Sequence, residues 1–439
     1  MFIRLTILLL ICSFSSLSFA QAVRVQVMKA KNGWQLLRNG KPYYVKGVGG
    51  DGHLDLLKQL GGNSFRTWSV QSFEEGPILQ QAKDLGLTVA AGLGLEHERH
   101  GFKYDDAAAV KKQFDRAIAE VEKYKNESPI LVWGIGNEME GDGNNPAIWK
   151  AVNDIAREIH RRDPNHPTMT VIAGSGKNSI KLINFMKYCP DVDILGINSY
   201  GGMANLLEEV KATKLDRPYI ATEFGPIGWW EIRKTSWDVP VEQTSSEKAA
   251  TYRDSYRHSV RDAGPLSFGS YAFLWGAKQE RTHTWFNLLL PDNPQLDFPV
   301  RGTDSKVSKT EAVDMLSYEW TGKWPSNRTP SIARIQSDAS EKRIAPGTEY
   351  TATVKSEDPD NDPLAYSWEV REETSDAREG GDAEKAPPAV SDAVVSVNGN
   401  TVKFKAPAKP GPYRLFVLVR DGKGSVATTN MPFFVEEKK

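Results

Sequence analysis

The chain has 439 residues, more than one small domain holds at roughly 100–200 residues each, so a barrel-sized unit with a smaller module is expected. Hydrophobic residues make up 40% and charged residues 25%, a globular balance that excludes a disordered or fibrous chain. Lys and Arg total 55 against 56 Asp and Glu, a net charge of -1, which excludes the basic surface that nucleic acid or anionic lipid would need.

Residues 1–4 form a short positive start, 5–11 an apolar run, and Ser18 and Ala20 are the small residues a signal peptidase reads before Gln21. The run is shorter than the ~20 residues that span a bilayer. Residues 1–20 are therefore expected to be a cleaved export signal, sending the protein to the periplasm or the outside and leaving no membrane anchor. Ile11 ahead of Cys12 does not suit lipidation, and cleavage leaves only Cys189, so no intramolecular disulfide can form. Next, 23–28, 33–38 and 41–45 alternate around Asn39-Gly40, a strong hairpin signal, and predict a small β cover under the following domain.

Eight strand-like runs follow, at 44–49, 63–69, 88–95, 130–138, 168–173, 194–200, 219–224 and 270–275. Helical stretches alternate with them at 54–60, 78–85, 105–124, 146–162, 180–188, 204–215 and 246–263. In the third of these Val110, Phe114, Ile118 and Val121 recur at helical spacing and place one apolar stripe against a sheet. Eight strands with helices between them predict an α/β fold, a (β/α)8 TIM barrel, within a catalytic domain of residues 21–325. The rival open sheet would carry a Gly-rich phosphate turn after its first strand, and Gly47-Val48-Gly49-Gly50 lacks the fingerprint spacing.

A Pro-bearing, turn-rich boundary at 324–330 leads to strand-like runs at 349–354, 365–370, 393–397, 401–405, 413–420 and 425–435 with no helical repeat. Residues 331–439 are expected to form an all-β sandwich with an exposed acidic loop at 372–384.

In a parallel barrel the site forms at the carboxyl ends of the strands, so polar residues there carry functional weight. Glu138, in Asn137-Glu138 after the fourth run, and Glu223, in the seventh, both fall there. Two carboxylates across a sugar-sized gap can protonate a glycosidic oxygen and attack the anomeric carbon, the retaining mechanism when they stand about 5 Å apart.

With these motifs in order, the chain resembles glycoside hydrolase clan A, the retaining (β/α)8 enzymes that include families 2, 5 and 72. The resemblance covers about residues 40–320 and implies Glu138 as acid/base and Glu223 as nucleophile. It further implies Asn137 on the sugar 2-hydroxyl, Arg66 in Asn63-Ser64-Phe65-Arg66 and Tyr200 beside the nucleophile, and Trp275 under the sugar. Arg66 is expected to keep Glu223 ionised and burial to keep Glu138 protonated. Only a short hairpin precedes the barrel, unlike the large β domains of family 2, and the disulfides common in family 72 are impossible here.

Loop residues are read beside these. His97, with Glu96, Glu98 and His100, suggests a sugar-facing loop rather than a metal site, because the spacing is mixed. Trp68, Trp229 and Trp230 suit a stacking platform, and Glu280, Arg281, His283 and Trp285 a further subsite. The tail resembles immunoglobulin-like or cadherin-like repeats through Asp358-Pro359-Asp360-Asn361-Asp362 and Asp421-Gly422, and reads as a spacer or weak carbohydrate-binding module. Its clustered oxygens are of the kind that ligate Ca²⁺, yet the same residues make tight turns without metal, so no metal or cofactor is assigned.

The expected function is an exported retaining β-glycoside hydrolase with a carbohydrate substrate, β-glucan-like by its loop tryptophans. Two alternatives stay open on sequence: a β-glucan transglycosylase, in which an acceptor sugar replaces water, and a noncatalytic glycan-binding protein on the same barrel.

Overall fold

A computed structural model describes residues 22–292, 306–378 and 381–437. The expected export signal at 1–20 lies outside them.

The chain begins as an antiparallel sheet of Val25–Ala30, Gly33–Arg38 and Lys41–Pro42. Asn39 and Gly40 turn it with φ of 50° and 70°, the left-handed pair that a tight two-residue hairpin requires. Val25, Leu36 and Trp34 pack against Val45, Leu131, Ile194, Ile220 and Phe268, near the amino ends of the barrel strands. The expected cover over the barrel's bottom is thus present.

Eight parallel strands close the barrel: Val45–Gly49, Ser64–Arg66, Thr88–Leu93, Ile130–Ile135, Thr168–Ala173, Ile194–Asn198, Tyr219–Phe224 and Ser267–Ala272. They are buried on both faces, which is why runs such as Ile130–Ile135 are apolar throughout. Helices at Leu54–Gln59, Ile78–Leu85, Ala107–Tyr124, Pro146–Arg162, Ile180–Tyr188, Leu206–Thr213 and Ser245–Tyr256 lie between strands. Their starts are chemically marked. Asp106 accepts from the Ala108 and Ala109 N–H groups, Asn145 caps a helix with Pro146 in its first turn, and Thr244 and Glu247 form a reciprocal capping box.

Beyond shorter ends to several runs, two departures bear on the site and the core. The eighth strand is Ser267–Ala272, not 270–275, because Phe273 leaves the sheet to pack against Trp68, Tyr200 and Phe286 at the mouth. An eighth helix, Glu311–Thr321, follows the antiparallel pair of Leu289–Pro291 and Val307–Lys309, and buries Ala312, Val313, Leu316 and Trp320. Among the described residues no helix is long and apolar enough to cross a membrane.

The C-terminal part is a β-sandwich. One sheet orders Gln336–Ser337, Glu349–Thr353, Thr401–Lys405 and Val394–Asn398, and the other Arg343–Ile344, Val426–Val435, Gly411–Arg420 and Ala365–Glu372. Trp368, Val402, Phe404, Leu415, Val417 and Phe433 fill the space between them. Asp358 Oδ1 accepts from the Asp360 and Asp362 N–H groups, a turn arrangement, and Lys423 pairs with Asp362.

Candidate active site

A cavity of about 1470 Å³ opens at the carboxyl ends of the strands, and Arg66, Asn137, Glu138, Tyr200, Glu223, Trp68, Trp230 and Trp275 all line it. Barrel closure brings these residues together from distant parts of the chain. Arg66 ends the second strand, Glu223 lies one residue from the end of the seventh, and Asn198 ends the sixth.

Glu138 is placed by a sharp turn after the fourth strand. Gly136 and Glu138 have φ of 70° and 53°. A Cβ at Gly136 would overlap the Met139 sulfur, and the left-handed Glu138 costs on the order of 1 kcal/mol or more, which the surrounding bonds must offset. Two interactions hold the turn: the Glu138 N–H donates to Val171 O at 2.9 Å, and buried Glu140 pairs with Lys181 at 2.7 Å.

The two carboxyl groups stand in contrasting surroundings. Glu223, only 6% exposed, accepts from Arg66 Nη1 at 3.0 Å and Trp68 Nε1 at 2.8 Å on one oxygen, and from the Tyr200 hydroxyl at 3.0 Å on the other. Glu138 accepts from Asn198 Nδ2 at 2.7 Å. Burial pushes the Glu138 carboxyl up to about 7, the charge of Glu223 adds to the rise, and the Asn198 bond opposes it. The Tyr200 hydroxyl is driven well above its ordinary value, first by burial and then by the charge of Glu223, so it stays protonated as a donor.

Asn137 joins the two halves, since its Oδ1 accepts from Arg66 Nη2 at 2.7 Å and Asn198 Nδ2 at 3.1 Å. Trp275 is 3% exposed, and its indole N–H donates to Gly52 O at 2.7 Å. Trp230 is 48% exposed and meets Tyr200 edge-on at 5.4 Å.

Other residues sort differently from expectation. His97 is not among the cavity-lining residues, because its ring faces His100 and the Glu138 main chain; burial and neighbouring Arg99 and His100 push it down to about 4. Trp68, read as a stacking residue, bonds Glu223 directly. Glu280 lines the cavity, whereas His283 faces Glu369 and Phe416 of the sandwich, and Trp285 packs beneath the mouth with Phe286. Asn198 was not singled out from sequence. Its signal was its place at the end of the sixth strand, two residues before Tyr200.

No protein-family model matches the chain. A β-galactosidase from Arthrobacter sp. (strain B7) is 29% identical over 183 residues, covering 39% of this chain and 17% of that protein. The chain thus spans under a fifth of that relative's length. Among solved structures, the β-glucuronidase of Ruminococcus gnavus in complex with D-glucaro 1,5-lactone is similar at TM-score 0.50 and 16% identity, covering 68% of this chain and 53% of that one. Gas2p of Saccharomyces cerevisiae, in complex with laminaritetraose and laminaripentaose, superposes at TM-score 0.49 and 14% identity over 70% of this chain and 69% of its own. With eight parallel strands closed into a barrel and a glutamate at the mouth from each of the fourth and seventh, the chain's fold is that of the clan A (β/α)8 glycosidases.

Proposed function

We propose that this protein is an exported retaining β-glycoside hydrolase acting on an uncharged β-linked glycan, with a β-glucan as the favoured substrate. The observation that carries the reading is the contrast between its two carboxyl groups. Glu138 has its pKa raised to about 7 and accepts from Asn198, while Glu223 is held by Arg66, Trp68 and Tyr200.

In the first step the protonated Glu138 gives its proton to the glycosidic oxygen as the bond to the anomeric carbon breaks. A Glu223 oxygen attacks that carbon from the opposite face, forming a covalent glycosyl-enzyme. The ester carries no charge, so the repulsion that Glu223 exerted on Glu138 is relieved and Glu138 can now act as base. It takes a proton from water, whose oxygen attacks the anomeric carbon and releases Glu223, and the two inversions retain the β configuration. Arg66 and Asn137, tied at 2.7 Å, keep the two halves in register through both steps.

Three features support the substrate. The cavity of about 1470 Å³ exceeds the roughly 300–1,000 Å³ of small-ligand pockets, as an oligosaccharide requires. Trp230 offers an exposed aromatic face for sugar C–H surface. Among the described residues, the Lys and Arg side chains lining the cavity are Arg66, paired with Glu223, and Lys278, paired with Glu280, which leaves no uncommitted Lys or Arg there for an acidic sugar. Export rests on residues 1–20.

The test is hydrolysis of β-linked glucans, mannans, galactans, xylans and a polyuronate, with the first anomer followed by NMR and an acceptor oligosaccharide added in parallel. Cleavage of a neutral glycan with initial β product supports the proposal. Transfer to the acceptor in preference to water would favour the transglycosylase, and cleavage of no glycan would contradict the reading.

A further inference from the structure

The sandwich does more than follow the barrel. Gly381, Ala383 and Glu384 line the same cavity as the two catalytic glutamates. They are tied down on the barrel side: Glu384 Oε2 accepts from the Arg281 N–H at 2.6 Å, and Lys278 Nζ donates to Gly381 O at 3.3 Å. Asp382 meets His100, in the loop after the third strand, at 3.1 Å. Within the loop, Glu384 Oε1 accepts from the Arg378 N–H at 3.0 Å.

The base of this segment is anchored by buried charge. Arg414 pairs with Glu373 at 2.8 Å, donates to Pro240 O at 2.8 Å in the barrel part and bonds Asn430 at 2.7 Å. Asn430 in turn donates to Glu242 at 2.6 Å, and Glu242 pairs with Lys248. A spacer on a flexible joint has no use for a desolvated network of this kind, since ordering buried charges at an interface is expensive unless every group is paired.

We propose that residues 381–384 of the sandwich form, with Lys278 and Glu280 of the barrel, the wall of a second glycan subsite that selects longer uncharged oligosaccharides. This deepens the hydrolase reading and rests on it. The wall is acceptor-rich and acidic, suited to sugar hydroxyl donors and repellent to uronate. Glu280 is 6% exposed; burial raises its pKa against the pull of Lys278, and the charges of both Glu384 and Glu223 act on it, so it lies within electrostatic reach of the wall and the nucleophile alike. Ala383 is exposed and carries only a methyl group, leaving room for a sugar beside it.

The experiment compares full-length wild type with Ala383→Trp and Glu384→Gln on a β-linked tetrasaccharide of the preferred glycan and on the 4-nitrophenyl β-glycoside of the same sugar. Ala383 is a surface position whose replacement does not threaten folding, and Glu384→Gln keeps an acceptor for Arg281. The ratio of kcat/KM on the tetrasaccharide to that on the aryl glycoside is expected to fall about tenfold in Ala383→Trp, through KM, and to move in Glu384→Gln as well. Ratios within twofold of wild type in both folded variants would overturn the subsite alone. A wild type inactive on both substrates would overturn the hydrolase reading and the subsite with it.

Discussion

Asn198 donates from Nδ2 to the Glu138 carboxyl at 2.7 Å, while its Oδ1 accepts from the hydroxyl of Thr222, the residue before Glu223, at 2.8 Å. One amide on the sixth strand therefore reaches the proposed acid directly and the strand of the proposed nucleophile at its back. The bond favours the charged form of Glu138 and so opposes the rise that burial produces. A general acid works only while protonated, so with Glu138 in that role kcat/KM should fall on its alkaline side as pH rises through about 7. In Asn198→Ala that opposing bond is gone and the falling limb should move to higher pH, as read from a kcat/KM profile with an aryl glycoside. A limb that stays in place or moves down would contradict the assignment.

Trp68 Nε1 shares the Glu223 oxygen that Arg66 also holds. Trp68→Phe keeps an aromatic ring and removes one hydrogen bond to a charged acceptor. It should lower kcat roughly 10–100-fold with little change in KM. Steady-state kinetics at the pH optimum checks this, and a kcat within twofold of wild type would return Trp68 to a packing role.

Arg414 and Glu373 have side chains 1% and 3% exposed, so removing one leaves the other buried and unpaired. Arg414→Ala should cost about 3 kcal/mol of stability, seen as a lowered Tm by calorimetry. A Tm unchanged within a degree would mean that the sandwich and barrel are coupled weakly.

The barrel strands were legible in sequence because short strand-like runs alternate with helical stretches, most clearly where a strand buried on both faces is apolar throughout, as in Ile130–Ile135. The same rule misplaced the end of the eighth, since Phe273 and Trp275 are apolar for packing at the mouth and not for the sheet. Glu138 and Glu223 were legible as mouth residues because polar side chains at the carboxyl ends of parallel barrel strands face the open end, and both line the cavity there. Asn198 escaped because an amide closing a strand has no such signature. The helix Glu311–Thr321 was missed because it comes after the last barrel strand, with no further barrel strand behind it to mark it as part of a strand–helix unit. Nothing local in the sequence announces that Gly381, Ala383 and Glu384 border the cavity; that contact depends on how the sandwich docks on the barrel, which leaves no periodicity in either.

In the proposed mechanism Glu223 attacks the anomeric carbon from the face opposite the leaving group. Its most direct test is Glu223→Gly with a 4-nitrophenyl β-glycoside of the preferred sugar and added sodium azide, the product being identified by NMR. Turnover is expected to fall by about three orders of magnitude or more and then to be restored by azide with formation of the α-glycosyl azide, because the anion enters where the carboxylate stood. Hydrolysis near the wild-type rate without azide, or a β-glycosyl azide, would contradict it.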